Sequence, residues 1–80
     1  MDIKLNAVTE LMEERGITAE DINAVVAFGE GEGGKLIDGD KNLAKKRLNN
    51  VMFYVEYTSD GTVTDVYSHR VVLGSEEKED

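Results

Sequence analysis

The chain has no cysteine, which excludes a disulfide framework and any thiolate metal site. Nothing therefore favours an oxidising compartment, and a cytoplasmic location is the expectation. No apolar run approaches the ~20 residues needed to span a bilayer, so no membrane association is expected. Met1-Asp2-Ile3-Lys4 lacks the basic region followed by an apolar one that marks a signal peptide. Imidazole is nearly absent as well. His69 is the single histidine, and a transition-metal site needs more nitrogen or sulfur ligands than one His supplies. No metal and no cofactor are assigned.

Net positive charge is also missing: the 80 residues carry a formal charge of −8. The deficit is uneven. Residues 1–34 have a net charge of −6, residues 35–74 of +1 and residues 75–80 of −3. The mean field repels nucleic acid and anionic lipid, because affinity for phosphate backbones comes largely from Lys and Arg. Any anion-binding surface has to sit on the second half of the chain. The acids otherwise serve solubility.

The chain is long enough for one domain, close to the lower size at which a core holds without staples. Leu5, Val8, Leu11 and Met12 recur at helical spacing and predict a helix over about 3–15. Gly16 is placed as the left-handed residue that ends it, with Ile17 folding back onto the last turn. Thr18-Ala19-Glu20-Asp21 has the form of a capping box and opens a second helix, whose buried stripe is Ile22, Val25 and Val26. Gly29-Glu30-Gly31-Glu32-Gly33-Gly34 is expected to stop it, since each Gly costs a helix roughly 1 kcal/mol relative to Ala. A frayed end or mobile loop is the reading for that segment.

Strands follow at 35–37, 43–48, 51–57 and 62–73, separated by turn residues. Asn49-Asn50 tolerates the positive φ angles of a two-residue type I′ turn. Residues 75–80 are acidic, without apolar anchors, and expected to be disordered. The predicted architecture is α+β, ααββββ: an N-terminal helical hairpin packed on one face of a mainly antiparallel three- to four-stranded sheet. Residues 1–74 form its single domain.

The Asn49-Asn50 turn sets a register. It pairs Leu48 with Val51, Arg47 with Met52, Lys46 with Phe53, Lys45 with Tyr54 and Ala44 with Val55. One face then holds Ala44, Leu48, Val51, Phe53 and Val55, which suits a core, and Lys46 must snorkel from its edge. The other holds Lys45, Arg47, Met52, Tyr54 and Glu56. The last strand depends on one residue of loop length. A two-residue Asp60-Gly61 loop puts Tyr67 beside Tyr54 and His69 beside Met52, with Glu56 unfavourably against Asp65. A three-residue Ser59-Asp60-Gly61 loop with a bulge turns Tyr67 and His69 into the core and Arg70 outward. The first is preferred. It gathers Lys45, Arg47, Tyr54, Tyr67 and His69 into one basic and aromatic patch, the candidate binding surface.

Three motifs fail on chemistry. Gly29 to Lys35 has the glycine and lysine spacing of a P-loop, but Leu36 replaces the Mg²⁺-binding hydroxyl, a helix precedes it, and Glu30 and Glu32 repel phosphate. Gly29, Gly31 and Gly34 have dinucleotide-loop spacing and fail for the same reasons. Asp38-Gly39-Asp40-Lys41-Asn42 opens like a calcium loop, yet Leu43 stands where Gly is needed and Asn49 replaces the bidentate acid.

The run Glu14-Arg15-Gly16-Ile17-Thr18-Ala19-Glu20-Asp21-Ile22-Asn23-Ala24-Val25-Val26, followed by strands ending in Val66-Tyr67-Ser68-His69-Arg70, resembles the RelE/BrnT-like superfamily of small α+β proteins. The resemblance is one of layout over residues 3–73, and its most specific element is largely capping chemistry. The chain is also similar to small proteins of anaerobic microbes. The RelE-like resemblance implies a sheet face that cuts RNA without metal, using Arg, Lys, Tyr and His. Arg47, Tyr54 and His69 are then the catalytic candidates, for proton transfer and phosphate stabilisation. Strong acidity and the lack of a long basic stretch depart from that pattern. The leading expectation is a binding or regulatory module whose partner is another protein. A metal-independent ribonuclease, with RNA as its partner, is the alternative.

Overall fold

The computed structural model of the protein describes residues 2–70. Its elements are a 3₁₀ turn at Asn6–Val8, α1 (Thr9–Arg15), α2 (Ala19–Glu30), β1 (Leu36–Asp38), β2 (Lys41–Leu48), β3 (Val51–Thr58) and β4 (Val63–Arg70). The strands form one antiparallel meander in the order β1-β2-β3-β4. The layout is the expected α+β arrangement of helices followed by four strands. The acidic segment 75–80 and residues 71–73 of the expected last strand lie outside the described residues. None of the described helices is long and apolar enough to cross a membrane.

The N-terminal helix is shorter than its apolar spacing predicts. Residues 3–5 are not helical, and Lys4 forms a parallel bridge to Thr62. Its N–H donates to Gly61 O (2.9 Å) and its carbonyl accepts from Val63 N (3.0 Å). Backbone groups at the start of β4 thus find partners in the N-terminal segment, and that competition outweighs another helical turn. The apolar stripe keeps its role: Val8 is fully buried, and Leu5, Leu11 and Met12 pack against the core.

The caps form as their chemistry predicts. Gly16 ends α1 at φ 68°, and its N–H donates to Met12 O. Ile17 donates to the same carbonyl (3.0 Å) and is buried. At α2, Thr18 Oγ1 accepts from Asp21 N and Asp21 Oδ2 accepts from Thr18 N, both at 3.1 Å. The glycine run stops α2 later than expected, because the helix continues through Gly29 to Glu30. Gly29 is buried there, and a Cβ on it would stand 2.6 Å from Ala44 Cβ. Here glycine serves a close helix–sheet approach rather than a helix stop.

All the helices cover one sheet face. α2 lies across β2 and β3, while the 3₁₀ turn and α1 lie on β4. The core comprises Val8, Ile17, Ile22, Val25, Val26, Ala44, Val55, Tyr57, Val63 and Val66, with Phe53 packed at its margin. Lys46 shares that face and snorkels as expected, its Nζ 4.2 Å from the Phe28 ring centroid.

The β2–β3 register is the predicted one, Leu48 opposite Val51 through Ala44 opposite Val55. Its turn differs from type I′: among the described non-glycine residues Asn49 is the one with positive φ (60°), so Asn50 does not supply the second such angle. The β3–β4 connection combines features of both expected alternatives. Tyr57 pairs with Val63 but Glu56 pairs with Asp65, so Thr64 is an extra residue. The loop is the three-residue Ser59-Asp60-Gly61 form, and the bulge at Thr64 then restores the register Tyr54–Tyr67 and Met52–His69. Thr64 Oγ1 donates to the Glu56 carbonyl (3.2 Å) and carboxylate (2.9 Å), anchoring the bulge. Asp60 accepts from the Thr58 hydroxyl and from Thr62 N (3.1 Å), bonds that hold its pKa down at about 2.

Gly29→Ala tests the helix–sheet contact. By helix propensity it should stabilise by about 0.5–1 kcal/mol. By the close approach to Ala44 it should instead destabilise by about 1–3 kcal/mol. Urea denaturation is expected to give the second sign.

Candidate functional site: the open face of the sheet

The face opposite the helices has no covering element among the described residues. Strand alternation places on it Leu36 and Asp38 from β1, Lys41, Leu43, Lys45 and Arg47 from β2, Met52, Tyr54 and Glu56 from β3, and Asp65, Tyr67 and His69 from β4. Lys45, Tyr54 and Tyr67 form one row across three strands, and Arg47, Met52 and His69 form the next. All five candidate residues therefore lie on this face.

The aromatic groups touch. Tyr54 and Tyr67 stack with ring centroids 4.6 Å apart and planes 9° from parallel. His69 tilts toward Tyr54 at 5.6 Å and 42°. Such a stack is worth about 0.5–1.5 kcal/mol beyond its buried area. It fixes both rings while Tyr67 stays 42% exposed. The cations are arranged differently. Arg47 reaches forward to the β2–β3 turn, with Nε donating to Asn49 O (3.1 Å), whereas Lys45 stands exposed beside Leu36 and Leu43.

Charge divides along the strands. The half near Asn49-Asn50 carries Lys45, Arg47 and His69. The half near Ser59-Asp60-Gly61 carries Asp38, Lys41, Glu56 and Asp65. The Glu56–Asp65 opposition is relieved locally, because Glu56 accepts from Thr64 and lies 4.0 Å from Lys41 Nζ. Among the described residues no three His, Asp or Glu side chains converge as a metal site would require.

One polar cluster matches no sequence motif. Tyr57 is buried on the helix face, and its hydroxyl donates to Glu30 Oε2 (2.5 Å) at the end of α2. Lys35 Nζ donates to the same oxygen (2.6 Å). The Lys35 bond, then the Tyr57 bond, hold the Glu30 carboxyl below its ordinary range. Burial, and then the bond to Glu30, push the Tyr57 hydroxyl well above its ordinary range. The available signal was phase. Tyr57 continues the inward series Val51, Phe53 and Val55, and a buried phenol needs an acceptor. The cluster fastens the loop after α2 to the sheet.

Comparison of the chain with protein-family models, curated proteins and solved structures finds no match.

The cluster contributes to the pH dependence at both ends, beside the hydrogen-bonded Asp60 at the acid end. The folded-state pKa of Tyr57 lies above its ordinary 10.0, so its contribution is complete below pH 10 and declines as pH rises beyond it. The folded-state pKa of Glu30 lies below its ordinary 4.5, so its contribution is present above pH 4.5 and is lost as pH falls. Denaturation midpoints measured across pH should show Tyr57→Phe weakening the alkaline decline and Glu30→Gln weakening the acid one.

Proposed function

We propose that the protein is a binding module that docks another protein on the open face of its sheet, without catalysis. The stacked Tyr54–Tyr67 pair, half-buried at Tyr54 and exposed at Tyr67, on a sheet face that no described element covers carries this reading. Aromatic side chains and arginine are the residue types that dominate interface energetics, and Lys45 and Arg47 flank the pair on one side. A pair already held by stacking loses little further rotamer freedom on binding, which lowers the cost of association. Lys45 and Arg47 supply charge recognition, and His69 flanks the pair. The preferred partner surface is acidic or neutral with an exposed apolar group, since the basic half of the face holds the aromatics.

The contact between His69 and Tyr54 favours one second reading, the metal-independent ribonuclease. There Arg47 would stabilise phosphate, and His69 with Tyr54 would move protons. Purified protein would then cut RNA in the presence of a chelator, and His69→Ala would abolish the cutting.

The binding reading is tested by a photo-crosslinking amino acid in place of Tyr67, with one at Asn23 on α2 as the control. A discrete protein adduct from position 67, absent from position 23, is the expected result. Tyr54→Ala should weaken the captured interaction by about 2 kcal/mol or more, roughly thirtyfold, while the loss of the stack lowers the denaturation midpoint by the equivalent of about 1 kcal/mol and leaves unfolding cooperative. Adducts from position 23 but none from 67 would overturn the assignment of the face.

A further inference from the structure

We propose that the outer edge of β2 at Lys45–Arg47 is a second docking site, distinct in its main-chain groups though it shares these two side chains with the open face, which takes an extended acidic segment of a partner protein as an added strand. Its affinity comes from backbone groups of the strand edge and does not require a partner on the open face. β1 covers Lys41 to Leu43 and no further. In an antiparallel ladder successive residues direct their N–H and C=O to opposite sides. The two-residue turns pair Leu48 with Val51 and Asp38 with Lys41. Residues 42, 44, 46 and 48 consequently bond toward β3, and 41, 43, 45 and 47 toward the outside. Lys41 and Leu43 meet β1. The outward groups of Lys45 and Arg47 meet no strand among the described residues, two donors and two acceptors in line.

The missing partner would have come from the chain itself. Continuing β1 backward in register from the Leu36–Leu43 pair would set residue 34 against Lys45 and residue 32 against Arg47. Gly34, at φ 73°, turns the chain away instead, and Gly33 N–H donates to Phe28 O (2.9 Å). Gly33 lies against the Phe28 ring so closely that a Cβ there would fall 2.0 Å from it. The divergence leaves a cavity of about 320 Å³ beside the edge that no described strand pairs, lined by Phe28, Gly33, Gly34, Lys35, Leu36, Leu43 and Lys45. It admits an apolar side chain from an added strand.

Charge selects the occupant. Lys45, Lys46 and Arg47 are consecutive on this edge in a chain of net charge −8. A second copy pairing about a twofold axis at Lys46 would set Lys45 against Arg47 and Lys46 against itself, which like-charge repulsion opposes. A strand with acids opposite Lys45 and Arg47 and an apolar residue between them satisfies the charges and the cavity together. Strand addition supplies the affinity through main-chain bonds, and alternate side chains supply the selection.

The test is titration of the ¹⁵N-labelled full chain with an acetylated, amidated Glu-Val repeat peptide of six residues. Controls are a Lys-Val repeat and a Glu-Val repeat N-methylated at its glutamates, which removes the donors facing β2. The Glu-Val peptide should shift the Lys45 and Arg47 amides and slow their hydrogen exchange at least tenfold. Both controls should bind at least tenfold more weakly, the double variant Lys45→Glu/Arg47→Glu should reverse the preference toward Lys-Val, and Tyr54→Ala should leave binding unchanged. Absence of shifts at these amides, equal binding of either control, or shifts centred on Tyr54 and Tyr67 would each overturn the edge site. The last outcome would leave the open-face reading standing.

Discussion

Thr64, the one residue by which β4 exceeds its partner strand, governs both faces of the sheet. A bulge lets two residues three apart point the same way, which a regular strand forbids. Val63 and Val66 are both fully buried for that reason. Beyond the bulge the strand is again in phase with β3, so Tyr67 stacks on Tyr54. Without the extra residue, the loop that accommodates Asp60 and Gly61 would turn either Val63 or Tyr67 to the wrong side. Core and surface patch depend on the same local irregularity.

The helix layer is set by a different constraint. α2 approaches β2 closely enough that Gly29 has no room for a side chain beside Ala44. Just beyond that contact, Glu30 receives Tyr57 and Lys35. The buried phenol thereby fastens the helix end and the start of the following loop to the sheet. Gly33 and Gly34 then carry the chain around the Phe28 ring before β1 begins. The short β1, and the stretch of β2 edge that no described strand pairs, follow from where α2 is held.

Charge is separated by layer. The acids are concentrated on the helical half, while β2 brings Lys45, Lys46 and Arg47 together. Alternation divides these three: Lys46 crosses the helix face to Phe28, and the other two stand on the open face. A strand edge bearing cations resists pairing with copies of itself. The same charges leave it attractive to acidic chains, so protection from self-association and partner selection share one set of residues.

Much of this was legible in the sequence where the interactions are local. The capping box at Thr18, the left-handed Gly16 and the β2–β3 register from Asn49-Asn50 are each settled within a few residues. That register puts Lys45, Arg47 and Tyr54 on one face by strand phase. Tyr67 and His69 join them by sequence through a two-residue Asp60-Gly61 loop, whereas the structure reaches the same pairing through a three-residue loop and a bulge. What the tertiary structure decided involves competition between distant groups. The start of β4 claimed Lys4 and shortened the first helix, and Ala44 gave Gly29 a packing role inside α2 instead of a helix stop. The bulge at Thr64 was not visible because loop length and bulge compensate, leaving the same pairing from either route. Local sequence determines what each segment can form; which backbone groups are left needing partners, and which side chains are left without room, is decided only when the segments meet.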